Sequence, residues 1–173
     1  MNQHILESLH SAATVHLITE LAFIFFAKYL VFILFAVLAY LIYKESDKKR
    51  RIYFIALATL SLILSLGIIV PLINQIYPTS RPFVTLEIEA LVDHPASSSF
   101  PSRHIMFTTP LALAAFYLNR RAGYWFFIGV LLMGVARIGV GVHWPLDILG
   151  GIVLGAMSFY TVKFLLNKGG VRM

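Results

Sequence analysis

The clearest pattern in this chain is a series of long apolar runs separated by short polar segments. The runs lie at about residues 17–43, 52–77, 105–118, 124–140 and 146–166. A helix rises 1.5 Å per residue, so about 20 apolar residues cross a bilayer core of about 30 Å, and the third run is short for a lone span. The pattern predicts an all-α fold, a polytopic membrane helix bundle with about five transmembrane helices.

Residues 1–16 follow a different pattern. Apolar residues recur at positions 5, 6, 9, 12 and 13, which is typical of one face of a helix. The segment lacks both the basic start and the continuous apolar stretch of a signal peptide. We therefore expect an N-terminal helix that lies in the membrane interface, as part of a single domain that covers residues 1–173.

The composition supports a membrane protein and excludes several other classes. Of 173 residues, 59% are hydrophobic and 13% are charged, with a mean hydropathy of +0.82. Soluble domains are about half apolar and about a quarter charged, so a soluble monomer and a disordered chain are both excluded. The absence of cysteine removes disulfides, thiol catalysis and thiolate metal sites.

The formal net charge of +6 is explained by topology rather than by a nucleic-acid partner, which we do not expect. Most of the cations follow the first, third or fifth run, or in the case of Lys163 lie just inside the end of the fifth run: Lys44, Lys48, Lys49, Arg50, Arg51, Arg120, Arg121, Lys163, Lys168 and Arg172. Because Lys and Arg accumulate in cytoplasmic loops, this distribution predicts an N-terminus outside and a C-terminus inside. The remaining cations are Lys28, Arg81, Arg103 and Arg137, all in outer halves or outer ends of spans. Charges at such depth are candidates for function.

Three polar clusters fall on the predicted outer side, at residues 77–82, 97–104 and 137–147. Together they supply arginines, histidines, an aspartate and several hydroxyls. Arginine presents a planar, permanently charged fork that matches phosphate oxygens, and a helix start favours an anion. One histidine can attack phosphorus while a carboxylate holds its ring, and a second histidine can protonate the leaving oxygen. This combination is typical of phosphoryl transfer through a phospho-histidine.

The clusters resemble the three signature motifs of the type 2 phosphatidic acid phosphatase family of membrane lipid phosphatases. The first motif is a lysine, six residues and then Arg-Pro; here Arg81-Pro82 is present, with Asn74 at the lysine position. The second is Pro-Ser-Gly-His, which here reads Pro-Ser-Arg-His at residues 101–104. The third is Ser-Arg, five residues, His, three residues and Asp, which here reads Ala-Arg, His143 and Asp147 at matching spacing.

The resemblance implies a role for each matching residue. His143 is expected to be the nucleophile, Asp147 its orienting partner and His104 the acid that assists the leaving group. Phosphate is expected to be bound by Arg81, Ser102, Arg137 and the amide of Arg103. The resemblance implies no metal and no cofactor. Asn74 has no positive charge, so we hypothesise that Lys28 replaces the missing lysine; Arg103 is a candidate contact for a second phosphate.

The segment Phe-Phe-Ala-Lys-Tyr at residues 25–29 and the small size are also similar to a subgroup, the bacterial undecaprenyl-diphosphate phosphatases of the bacitracin-resistance type. That resemblance implies a plasma-membrane enzyme that acts on a polyprenyl diphosphate at the outer face. The alternatives are phosphatases for phosphatidylglycerophosphate, phosphatidic acid or lipid A, phosphate transfer to another lipid, a non-catalytic anion or lipid transporter, and a structural membrane protein. The oligomeric state stays open.

Three further features carry no functional prediction. His4, His10, His16 and His94 have no matching partners in sequence, and we expect them in the solvated interface. Residues 97–99 are serines, for which a loop or helix-cap role is expected. The pair Gly151 and Gly155 has the spacing of small residues that pack helices, within the chain or between two copies.

Overall fold

The computed structural model describes residues 2–169, and the regular structure in this range is helical throughout. The helices are α1 (Asn2–Thr14), α2 (Leu17–Lys28), α3 (Leu30–Lys44), α4 (Lys48–Leu62), α5 (Val70–Ile76), α6 (Pro82–Thr85), α7 (Arg103–Leu118), α8 (Arg120–Gly139) and α9 (Pro145–Lys168). A π-helical segment, Ile63–Ile69, joins α4 to α5. The predicted all-α bundle is confirmed.

The number of spans differs from the predicted five. Three continuous helices are long and apolar enough to cross a membrane: Lys48–Ile76, α8 and α9. The first apolar run forms two helices, α2 and α3, bent by 47° at Tyr29, and the pair makes a fourth span if it is counted as one. The third run forms α7, which has only 16 residues. The predicted count of five spans is therefore not confirmed.

The π-helical segment and the bend between α2 and α3 each have an identifiable cause. Pro71 lies at the start of α5 and has no amide hydrogen to donate to the carbonyl of Gly67, four residues earlier. Wider π-helical turns precede it. At the bend between α2 and α3, the carbonyl of Ala27 accepts a hydrogen bond from Arg137 Nη1 (3.4 Å), which satisfies a carbonyl in the last turn of α2.

Helix α7 forms the centre of the bundle. Ten of its residues are buried, and it packs against α3, α4, α8 and α9. Close approach of α9 depends on glycine, because a Cβ at Gly151 would lie 2.9 Å from Ile105 Cβ and one at Gly155 would lie 3.0 Å from Thr109 Cβ. This small-residue face is therefore occupied inside the chain. Protein covers α7 on several sides, which explains how so short a helix sits within the bundle.

The two ends of the bundle carry different residues. At one end, Arg50 Nη2 donates to the carbonyl of Leu118 (3.1 Å), and Tyr53 Oη lies 3.3 Å from Asn167 Oδ1. These contacts bring together the α3–α4 loop, the α7–α8 turn and the end of α9, the three segments whose cations are predicted to be cytoplasmic. Arg172 lies outside the described residues. The three polar clusters lie at the opposite end.

Helix α1 packs against α8 and α2 at this polar end, with Leu6 and Ala13 fully buried. His10 Nδ1 lies 2.8 Å from the carbonyl oxygen of Gly139 at the end of α8. The expectation that His10 lies in the solvated interface was therefore wrong, because α1 packs against α8 and half-buries this side chain. Large apolar side chains on outward faces of α3, α8 and α9, such as Phe32, Trp125 and Phe164, remain exposed, as expected of a lipid-facing surface.

Candidate active site

The three polar clusters meet in one buried site. Five of the groups predicted to carry its chemistry are at most 3% exposed: Arg81, Ser102, Arg137, His143 and Asp147. They come from the end of α8, the start of α9, the loop before α7 and the segment after α5. Burial of this many polar groups is costly unless they bind one another or a ligand.

Local structure places His143 and Asp147 on the same side. Helix α8 ends at Gly139, and the chain then turns through Gly141, whose φ of +81° favours glycine. Helix α9 starts at Pro145, a residue preferred in the first turn because it has no amide hydrogen. Asp147 lies in that first turn and accepts a hydrogen bond from the Trp144 amide (2.7 Å).

The Nδ1 edge of His143 faces two oxygen atoms. One is Asp147 Oδ2 at 3.3 Å, as the spacing of four residues suggests, and the other is Ser99 Oγ at 3.4 Å. The Ser99 hydroxyl also donates a hydrogen bond to Asp147 Oδ2. Ser99 is fully buried, so it is more than the loop or cap residue that the sequence indicates.

The Nε2 edge of His143 faces two guanidinium groups. Arg81 Nη1 lies 3.4 Å from Nε2, and Arg137 Nη2 lies 3.3 Å from it. Burial lowers the pKa of His143 well below its ordinary value, and the positive charges of Arg137 and Arg81 lower it further. The imidazole is therefore neutral at neutral pH, with a lone pair available on one nitrogen.

Arg81 is held by backbone carbonyls. Its Nε donates to Ser97 O (3.0 Å), its Nη2 to Ser98 O (3.0 Å) and its Nη1 to Val142 O (2.9 Å). Burial lowers the pKa of Arg81 to about 10, so the guanidinium stays charged at neutral pH. The serines of residues 97–99 thus hold an arginine and a histidine of the site, which the sequence pattern does not reveal.

Two buried polar atoms at the site lack a hydrogen-bond partner among the described residues. They are Nε of Arg137 and Oγ of Ser102. Ser102 is the N-cap residue of α7 but makes no side-chain cap bond. Buried polar groups are almost always paired, so unused capacity beside two guanidinium groups is the arrangement expected of an anion-binding site.

His104 and Arg103 lie in the first turn of α7, beside an apolar groove of about 480 Å³. The groove is lined by α3, the π-helical segment and α7 through Val31, Phe32, Phe35, Leu66 and Phe107. His104 is half-buried and Arg103 is exposed. The predicted acid therefore stands where the polar site meets an apolar groove.

Three predicted substrate-binding residues, Arg103, Lys28 and Asn74, make no side-chain hydrogen bond or ion pair with the site in the part of the chain that the structure describes. Lys28 is exposed at the end of α2, with Nζ 5.6 Å from the centroid of the Tyr29 ring. Asn74 lies in α5, and its Oδ1 is buried without a partner among these residues. Their assignment stays a prediction.

Sequence reasoning missed His94. Its ring centroid lies 6.3 Å from that of His143, with the two rings nearly perpendicular. The side chain is half-buried, which lowers the pKa of His94 from its ordinary value, and nearby arginines add to this effect. No motif marks His94, because its position depends on the path of the loop before α7. Residues 2–169 contain no group of three or more His, Cys, Asp and Glu side chains arranged to hold a metal.

Comparison with known proteins gives four similarities. The family model described as PAP2 superfamily matches residues 54–169. The chain is 28% identical over 167 residues to undecaprenyl-diphosphatase BcrC of Bacillus subtilis (strain 168), covering 95% of this chain and 84% of that protein. It is 28% identical over 145 residues to bacitracin transport permease protein BcrC of Bacillus licheniformis, covering 83% and 70%. The crystal structure of Aquifex aeolicus LpxE has the same fold, with a TM-score of 0.70 over 93% of each chain at 23% identity.

Proposed function

The chain belongs to the PAP2 superfamily, whose members are phosphatases, and we propose that it removes the terminal phosphate from a lipid diphosphate. The substrate we propose is undecaprenyl diphosphate, which the name of the Bacillus subtilis relative suggests. The observation that carries the proposal is the convergence of Arg81 and Arg137 on Nε2 of His143. A phosphoryl group held by these two arginines lies beside the only lone pair of a neutral imidazole.

The phosphate-binding step uses groups that are already aligned. The terminal phosphate replaces the imidazole nitrogen as acceptor for Arg81 and Arg137, which frees that nitrogen to react. Ser102 Oγ and Arg137 Nε, both without a partner among residues 2–169, gain one from the phosphate oxygens. The first-turn amides of α7, including that of Arg103, supply further donors.

The chemical step is a double displacement. His143 Nε2 attacks the terminal phosphorus, a P–N bond forms, and the P–O bond to the lipid phosphate breaks as its oxygen takes a proton from His104, whose protonated form is favoured by the negative charge of the bound diphosphate. A water molecule then attacks the phosphorus and gives its proton to His104. The P–N bond breaks, its electron pair returns to Nε2, and orthophosphate leaves. Asp147 stabilises the charged form of the ring between the two steps.

The groove beside His104 supports a lipid substrate. The leaving oxygen must lie near His104, so the rest of the lipid extends from that point. The apolar side chains from α3 and α7 line a path there that suits a hydrocarbon chain. Arg103, at the same end of the groove, is positioned to bind the second phosphate of a diphosphate.

The distribution of charge supports an outward-facing site in a bacterial plasma membrane. The basic segments lie together at the end of the bundle away from His143. Under the positive-inside rule, that end is cytoplasmic, and the N-terminus and the active site lie on the outer side. A diphosphate released on that side during cell-wall synthesis is then accessible to the enzyme.

The name of the Bacillus licheniformis relative favours a second candidate, a transporter that binds a lipid or anion without turnover. Phosphate release by purified protein separates the two. We expect release from undecaprenyl diphosphate to exceed release from phosphatidylglycerophosphate, phosphatidic acid and lipid A, and to persist in a chelator. Binding of these lipids without release would contradict the proposed enzyme, and faster release from a monophosphate lipid would contradict the proposed substrate.

A further inference from the structure

Among residues 2–169, Ser99 is the one buried hydroxyl that touches both members of the His143–Asp147 pair. It lies outside the three signature motifs, two residues before Pro101, and its side chain is fully buried. Its amide donates to the carbonyl of Thr79 (2.9 Å), which anchors the residue to the segment after α5. The hydroxyl is therefore held in place by its own backbone.

The hydrogen-bond directions at Ser99 determine where the proton of His143 lies. The single Ser99 hydroxyl hydrogen is donated to Asp147 Oδ2, so only lone pairs of Oγ remain to face His143 Nδ1 at 3.4 Å. Asp147 Oδ2 faces the same nitrogen at 3.3 Å and is also only an acceptor. Two acceptors around Nδ1 favour the tautomer that carries its hydrogen there.

The opposite edge of the ring has the complementary environment. Arg81 Nη1 and Arg137 Nη2 are donors, and both face Nε2. A nitrogen between two obligatory donors must hold a lone pair. The ring is thus fixed in the tautomer that a nucleophile needs, by acceptors on one side and donors on the other.

We propose that Ser99 is a positioning residue of the nucleophile, which holds Asp147 by donation and accepts from His143 Nδ1–H. The assignment rests on the proposed function. The proposed role of Ser99 does not require its hydroxyl to exchange a proton during the reaction. Ser99 acts through Asp147 and His143, so its loss affects the chemical step and leaves phosphate binding by the arginines intact.

The test is a double-mutant cycle on purified protein with undecaprenyl diphosphate. We expect Ser99→Ala to lower kcat by about 10- to 100-fold, the usual effect of losing a partner that orients a reactive group, with KM changed less than about threefold. Asp147→Asn alone should lower kcat at least as much. Because Ser99 works through Asp147, adding Ser99→Ala to Asp147→Asn should cost less than about a further twofold.

The controls separate positioning from packing. Ser46→Ala, an exposed serine in the α3–α4 loop, should match the wild type. Ser99→Cys keeps nearly the same volume with a weaker donor, so its kcat should lie between those of Ser and Ala, and it decides the question if Ser99→Ala does not fold. Wild-type kcat in Ser99→Cys and Ser99→Ala, or losses that multiply in the cycle, would overturn the assignment. No release by the wild type would instead overturn the proposed function, and this assignment with it.

Discussion

His143 is surrounded by groups that would be unfavourable together in an ordinary protein interior. Two arginines, an aspartate and the imidazole are each at most 3% exposed. Their burial removes water that would otherwise screen the charges, so each interaction within the site is stronger than at a surface. Polar atoms of Arg137 and Ser102 without a partner among residues 2–169 show that the arrangement is incomplete on its own. In the proposed function, the phosphate of the substrate supplies the missing acceptor and negative charge.

The positive charge of Arg137 beside His143 predicts how activity depends on pH. The profile of kcat/KM reports groups of the free enzyme, so the acid limb due to His143 should lie below pH 6.5. Arg137→Gln removes a positive charge that faces the imidazole, so protonation becomes easier, the pKa of His143 rises and its acid limb moves to higher pH. Arg81, His94, Ser99 and Asp147 still face the ring in that variant.

The measurement compares phosphate release across pH for the wild type, Arg137→Gln and Arg121→Gln, an exposed arginine at the other end of the bundle. Ionisation of the substrate is common to all three and does not affect the comparison. Arg121→Gln should keep the wild-type profile. A limb that stays in place or moves to lower pH in Arg137→Gln would mean that this charge does not act on the group that limits activity.

Motif spacing predicts many residues of the site but not the neighbouring residues that contact them. Five residues lie at recognisable intervals in the sequence, and the structure brings them together, although their roles stay predictions. They are Arg81, Ser102, Arg137, His143 and Asp147. Ser99 and His94 have no such intervals. Their positions depend on how the loop before α7 folds over the site, and loop conformation leaves no periodic pattern in a sequence.

At the scale of elements, α7 and α9 form the framework of the site. The Ser102 amide donates to the carbonyl of Asp147 (3.1 Å), which links the start of α7 directly to the first turn of α9. Gly151, one turn further along α9, lets the two helices stay close, since a Cβ there would lie 3.2 Å from Ser102 O. The distance between the start of α7 and the first turn of α9 thus depends on a residue that has no side chain.

The close approach of α7 to Gly151 predicts the effect of a larger residue at that position. Gly151→Leu should force α9 away from α7, lower stability by about 1–3 kcal/mol and reduce phosphate release. The matched change Gly67→Leu lies in the π-helical segment, where the nearest atom to a new Cβ is Ile63 Cγ2 at 3.9 Å, and it should have a smaller effect. Thermal unfolding in detergent measures both. Equal midpoints for the two variants would show that close packing at Gly151 is unimportant.

Apolar runs predicted the helices well and their irregularities poorly. The runs at 52–77, 124–140 and 146–166 correspond to continuous helices within a few residues. The bend at Tyr29 was not predicted, because no proline or glycine marks it. The carbonyl of Ala27, in the last turn of α2, accepts a hydrogen bond from Arg137, which is distant in sequence. The π-helical turns before Pro71 were also missed, because apolar content is the same in either kind of helix.

At the scale of the whole molecule, the main asymmetry is between its two ends. Cations without a role in the site lie together at one end, and the arginines and histidines of the site lie at the other. Under the proposed topology and function, the 14 Lys and Arg residues therefore divide into a larger group that sets orientation and a smaller group that binds the substrate. Because the chain has no cysteine, a single introduced thiol reports the side on which it lies.

Labelling of single cysteines tests this orientation. Asp93→Cys lies in the loop before α7 and Ser46→Cys in the α3–α4 loop, and both positions are exposed. We expect a membrane-impermeant maleimide added to intact cells to label Asp93→Cys, and to label Ser46→Cys only after the membrane is permeabilised. The reverse pattern would put the site on the cytoplasmic side.

The central claim is that His143 is the nucleophile of a lipid diphosphatase, and turnover of undecaprenyl diphosphate by purified His143→Ala tests it most directly. His4→Ala, an exposed histidine of α1, serves as the matched control. We expect no detectable release of orthophosphate by His143→Ala, with wild-type release by His4→Ala and unchanged folding of both. Wild-type release by a folded His143→Ala would contradict the account.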